Sequence, residues 1–172
     1  DGIGAELARQ LARRHGLQAM LVLAARNASK LQAVAADCMA MGARTLIMPT
    51  DITDEQQCRH LVETTVSQLG SLDILINNAG LLINKPFEQL SHQDLTESYQ
   101  VNVIGIMEAT QALLPQLATD AHIVNISSMG GFQGSLKFAG LAAYSTSKAA
   151  LCAFTELFAE EYKATSLRMN CL

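Results

Sequence analysis

The chain has 172 residues, of which 49% are hydrophobic and 16% charged, and its formal net charge is -4. That length suits one domain, the apolar fraction supplies a core, and no stretch has a disordered composition. The acidic balance excludes the clustered Lys and Arg that a nucleic-acid partner requires. The cysteines (38, 58, 152, 171) and histidines (15, 60, 92, 122) are scattered, so no zinc or redox motif and no metal site is expected. Reduced thiols point to a cytoplasmic protein. The longest apolar runs, such as Ala19–Ala25, are far too short to span a bilayer, so no membrane partner is expected.

Helices and strands are predicted to alternate. Gly2–His15 reads as a helix with Leu7 and Leu11 on one face, followed by a strand over Met20–Ala24. Asn27 is placed to cap a helix over Ala28–Met41 that Gly42 ends, and Thr45–Met48 is the next strand. Thr53 and Gln56 have capping-box spacing for a helix that Gly70 closes. Leu72–Ile76 is a buried-type strand. A helix starts at Ser91 and Asp94, with apolar residues continuing to about Leu117. His122–Ile126 is a strand, Ala143–Tyr162 a long helix and Leu167–Asn170 a last strand.

Strands without polar alternation between helices indicate an α/β fold, a doubly wound parallel sheet of Rossmann-like type in three α/β/α layers. The expectation is a single nucleotide-binding domain over residues 1–172. A helix opening at Gly2 calls for a preceding strand and glycine turn, and the last strand calls for a return helix. The chain is therefore expected to lack its first strand and its C-terminal part, leaving a gap in the sheet. Its opening on Asp1 rather than Met leaves any targeting segment undetermined.

Gly2-Ile3-Gly4 at a helix start allows a pyrophosphate to approach the backbone and the free N–H groups. Asn77-Asn78-Ala79-Gly80 follows a strand at the binding edge, where small residues admit a ligand. Tyr144 and Lys148 lie four apart on one helix face. A tyrosine has a reference pKa of about 10, and a fixed ammonium favours its phenolate, which suits proton transfer near neutrality. Asn125-Ile126-Ser127-Ser128 ends a strand, so a serine hydroxyl can reach a substrate carbonyl oxygen. On spacing alone, each of these also fits an ordinary turn, cap or surface pair.

In this order, Gly2-Ile3-Gly4, Asp51-Ile52, Asn77-Asn78-Ala79-Gly80, Asn102 in Val-Asn-Val, Ser128 and Tyr144-xxx-Lys148 resemble the short-chain dehydrogenase/reductase family along the whole chain. The resemblance implies an oxidoreductase that moves a hydride between a nicotinamide cofactor and a small carbonyl or alcohol substrate. It implies Tyr144 as general acid or base, and Lys148 as its tuning cation and ligand of the nicotinamide ribose. Ser128 would orient the carbonyl, and Asn102 would support a water-linked proton relay. Gly2, Ile3 and Gly4 would border the pyrophosphate, Asp51 and Ile52 the adenine, and Asn78, Ala79 and Gly80 the neighbouring ribose.

NAD-preferring relatives carry an acidic residue where Ala25 stands, and Arg26 can pair with a 2′-phosphate, so NADP(H) is expected over NAD(H). The interval from Ser128 to Tyr144 exceeds the family's commonest spacing, with Gly134–Gly140 as the insertion. Met129-Gly130-Gly131 selects Ser128 rather than Ser127 as the family serine. A homodimer or homotetramer is expected by family, with Phe154, Leu157 and Phe158 as apolar contacts or as a core face. The competing readings are a catalytically silent dinucleotide-binding sensor or scaffold, and an epimerase or dehydratase of the extended relatives. With its flanks missing, the isolated chain is expected to be inactive.

Overall fold

The structure is a computed structural model, and it describes residues 2–172. The chain forms two compact units, one reaching Gly70 and the other Ser71–Leu172. Five parallel strands lie in two sheets rather than one continuous sheet, of order β1-β2 and β3-β4-β5.

In the first unit, α1 (Gly2–His15), β1 (Met20–Ala25), α2 (Ala28–Ala40), β2 (Arg44–Pro49) and α3 (Glu55–Leu69) follow in order. β1 and β2 pair in parallel from Met20 with Arg44 to Ala25 with Pro49. The face that α1 buries is Ala5, Ala8 and Ala12, packed with Val34 and Cys38 of α2, while Leu7 and Leu11 are only half-buried. Small side chains let the two helices approach closely, which corrects the leucine face expected from the sequence. Asn27 caps α2 as predicted, its Oδ1 accepting from Lys30 N–H at 2.9 Å. Gly42 ends it with φ of 92°, a conformation that only glycine adopts without strain.

The cap of α3 is not Thr53. Asp54 accepts from Gln57 N–H at 3.0 Å and from Gln57 Nε2 at 2.9 Å, so the helix starts one residue later. An aspartate outranks a threonine as an N-cap, and the Thr53 hydroxyl is already bound to Asp51 Oδ1 at 2.8 Å.

The second unit comprises β3 (Leu72–Asn77), α4 (His92–Tyr99), α5 (Gly105–Leu113), β4 (Leu117–Asn125), α6 (Ala142–Glu161) and β5 (Arg168–Cys171). Ser91 and Asp94 form a reciprocal capping box. The helix predicted from there to Leu117 is not continuous. A π turn over Gln100–Ile104 separates α4 from α5, and a 3₁₀ turn containing Pro115 leads into β4. β4 therefore begins at Leu117, opposite Leu72, but the regular register runs from Ile74 with His122 to Asn77 with Asn125. β5 pairs on the other side, His122 with Arg168 to Asn125 with Cys171.

Phe158, buried against Ile123 and Met169, stacks on Tyr162 with ring centroids 4.3 Å apart. It is a core residue of its own unit, worth about 1.5–3 kcal/mol of burial. Phe154 packs beside it half-buried, and Leu157 alone of the three faces outward, at 70% exposed. Phe158 is thereby removed from the expected partner contacts.

Candidate active site

In the second unit, the loop after β3, the π turn and α6 bring Gly80, Asn102, Tyr144 and Lys148 together. Tyr144 and Lys148 share one face of α6, and Lys148 Nζ lies 5.9 Å from the centroid of the Tyr144 ring. The lysine is 2% exposed and donates to Ile126 O at 2.7 Å, just beyond β4. It forms no carboxylate ion pair among the described residues. Burial pushes its pKa below the usual lysine range, with the Cys171 and Cys152 thiols opposing that shift.

Gly80 closes the site from the β3 side. A Cβ there would stand 3.4 Å from Lys148 Nζ and 3.5 Å from Asn102 Oδ1, in ordinary contact with both. Asn102, fully buried in the π turn, holds the preceding strand's loop in place. Its Oδ1 accepts from Leu81 N–H at 2.7 Å, and its Nδ2 donates to Leu81 O and to Ser147 Oγ, both at 2.9 Å. Ser98 and Ser147 complete this buried cluster, and Ser147 donates to Tyr144 O at 2.8 Å. The Asn102 side chain is thus a clamp between the loop, the π turn and α6.

The two serines after β4 differ. Ser127 is buried, and its hydroxyl donates to Lys148 O at 2.9 Å. Ser128 is less buried and caps the 3₁₀ turn Met129–Gly131, accepting from Gly130 N–H at 3.3 Å. That turn lies flat on α6, because a Cβ on Gly131 would meet Lys148 C at 2.7 Å and Ala149 N at 2.8 Å. Ser128 therefore has the more accessible hydroxyl at the binding edge.

Sequence reasoning did not anticipate a polar ladder across the strand ends. Asn77 Nδ2 donates to Asn125 Oδ1 at 2.8 Å and to Thr110 Oγ1 at 3.1 Å, and Asn125 Nδ2 donates to Thr155 Oγ1 at 2.9 Å. Matching asparagines at two strand ends were its only signal. The 132–140 segment is likewise fastened. Lys137 Nζ donates to Gly130 O at 2.9 Å and to Phe132 O at 2.6 Å, while Lys85 N–H donates to Gly140 O at 2.9 Å.

In the first unit, Gly2, Ile3 and Gly4 form the opening turn of α1, with no acidic side chain there. Such a turn carries unpaired N–H groups and positive potential suited to a phosphate. Arg26 follows β1 and is exposed. Asp51 accepts from Thr53 N–H at 3.0 Å and from its hydroxyl, which holds the carboxylate below its usual range; the Arg26 cation adds to the effect. Ile52 is half-buried beside it, and its carbonyl accepts from Cys58 Sγ at 3.4 Å. Asn78, with its N–H on Ile76 O at 3.1 Å, and the exposed Ala79 follow β3 in the second unit.

The model of the short chain dehydrogenase family matches residues 1–172. The chain is similar to a ketoacyl reductase, HetN, of Nostoc sp., 32% identical over 171 residues, covering 98% of the chain and 58% of that relative. A short-chain dehydrogenase/reductase from Serratia marcescens superposes with a TM-score of 0.90 at 30% identity, over 99% of the chain and 68% of that structure. A short chain dehydrogenase from Burkholderia cenocepacia in complex with NADP does so with the same TM-score, identity and coverage. The chain belongs to the short-chain dehydrogenase family, and its fold is the Rossmann-like α/β fold of that family. It spans a little over half the length of HetN.

Proposed function

We propose that the protein is an NADP(H)-dependent oxidoreductase that interconverts a carbonyl compound and its alcohol. The observation that carries this reading is a buried lysine, Lys148, held beside the Tyr144 ring with no carboxylate partner among the described residues. A desolvated lysine beside a tyrosine at a binding edge marks a candidate site for proton transfer.

The residues fit a dinucleotide. The first turn of α1, which has no Cβ at Gly2 or Gly4, takes the pyrophosphate, Arg26 the 2′-phosphate, and Asp51 and Ile52 the adenine. Asn78, Ala79 and Gly80 leave open backbone for the ribose, and Lys148 holds its hydroxyls. The nicotinamide supplies or accepts the hydride when bound. Tyr144 gives its phenolic proton to the carbonyl oxygen during reduction and takes it back in the reverse direction. Ser128 hydrogen-bonds that oxygen and orients it. Asn102 fixes the loop and the α6 turn around Lys148, through which a water-linked relay replenishes the proton. The protein works in the cytosol as a homodimer or homotetramer. The reductase name of HetN and the NADP bound to the Burkholderia structure support the reading.

The test is turnover by the whole protein with NADPH and a panel of ketones, aldehydes and alcohols, beside Tyr144→Phe. The substitution should lower turnover about 100-fold or more while NADPH still binds. Undiminished turnover in the variant would remove Tyr144 from the chemistry. NADPH binding without turnover of any substrate would favour a silent sensor.

A further inference from the structure

The four thiols fall into two kinds. Cys38 and Cys58 are buried, at 0% and 6% exposed, in the first unit. Cys152 and Cys171 are half-buried on two packed elements of the second unit, α6 and β5, with sulfurs 3.7 Å apart. Cys152 stands one helical turn after Lys148, and Cys171 is the last residue of β5.

We propose that Cys152 and Cys171 are a reversible dithiol–disulfide pair, a thiol-modification site on the turn of α6 that follows Lys148. A disulfide has sulfurs about 2.05 Å apart, so closure needs an approach of roughly 1.7 Å from the present separation. Ser127 Oγ lies 3.2 Å from Cys152 Sγ and binds Lys148 O, which ties the pair to the lysine's own peptide. Burial keeps the Cys171 thiol above its ordinary range.

Oxidised glutathione is a suitable oxidant. The Cys152 thiolate attacks one glutathione sulfur, forming a mixed disulfide and releasing one glutathione thiolate. The Cys171 thiolate then attacks Cys152 Sγ and releases the second. Two protein thiols are oxidised, one glutathione disulfide is reduced to two thiols, and the two protein protons pass to those products. This holds whether or not Tyr144 carries the proton transfer.

The experiment treats the native whole protein with oxidised glutathione, blocks remaining thiols by alkylation and maps the peptides. Two of these four thiols should disappear, a cross-linked peptide should join Cys152 to Cys171, and dithiothreitol should restore both. Cys152→Ser should give no cross-link. Retention of all four thiols, or a glutathione adduct on the native chain without the cross-link, overturns the proposal. The deciding measurement is made on the native chain, so instability of the variant does not affect it.

Discussion

Asn102 grips the main chain of Leu81 at both its polar groups, accepting the N–H at 2.7 Å and donating to the carbonyl at 2.9 Å. A side-chain amide thus serves as the strand partner that the loop after β3 would otherwise lack. This grip, together with Gly80 beside Lys148, sets the wall of the site.

Asn102→Ala should cost about 2–4 kcal/mol of stability. It removes several buried hydrogen bonds and leaves Ser147 Oγ and the Leu81 backbone with fewer partners. Denaturant midpoints of the variant and the native protein measure this. A loss below about 0.5 kcal/mol would mean that the clamp is dispensable.

Lys148 makes a pH-dependent contribution of defined sign. Its folded pKa lies below 10.5 because of burial, so the unfolded chain binds more protons between the folded value and 10.5. The burial penalty is full below the folded value, shrinks as pH rises through that window, and is gone above 10.5. The stability of the native protein relative to Lys148→Met should therefore rise with pH in that interval. A difference independent of pH would show that the ammonium is not desolvated.

Asp94 behaves in the opposite sense. Lys85 and the Ser91 backbone and hydroxyl hold its carboxyl at about 2, below the ordinary 3.8. Its contribution is present above 3.8 and is lost as pH falls towards 2. Asp94→Asn should lower the denaturation midpoint at neutral pH, and the deficit should shrink as pH falls through about 2. Direct titration of the Asp94 carboxyl by NMR provides a second check.

Arg26→Ala tests the cofactor preference. Losing a charge-assisted bond of about 1.5–3 kcal/mol to a phosphate should weaken NADPH binding roughly tenfold or more and leave NADH nearly unchanged. Equal weakening of both cofactors would place Arg26 elsewhere than at the 2′-phosphate.

Much of this was legible because helical and strand periods are local. Four-residue spacing put Tyr144 and Lys148 on one face, and Asn27, Ser91 and Gly42 announced their caps. What stayed hidden was non-local. A lysine in a polar helix segment reads as solvated, whereas the packed strand ends and loops around it bury Lys148. The Asn77–Asn125 ladder requires knowing that β3 and β4 are neighbours in register. In α1, Leu7 and Leu11 dominate any apolar count, yet close helix packing selected Ala5, Ala8 and Ala12. The Asn102 clamp depends on a π turn that no residue pattern marked.

That π turn makes one stretch of the chain intolerant of length change. Each helical residue advances the side-chain direction by about 100°. The extra residue within Gln100–Ile104 lets α4 and α5 serve two differently oriented neighbours. Ser98 and Asn102 reach α6 and Leu81, while Thr110, further along, reaches Asn77 on β3. Deleting a single residue there would restore a regular helix and swing one of these sets off its target. Change within 100–104 is therefore confined to substitution.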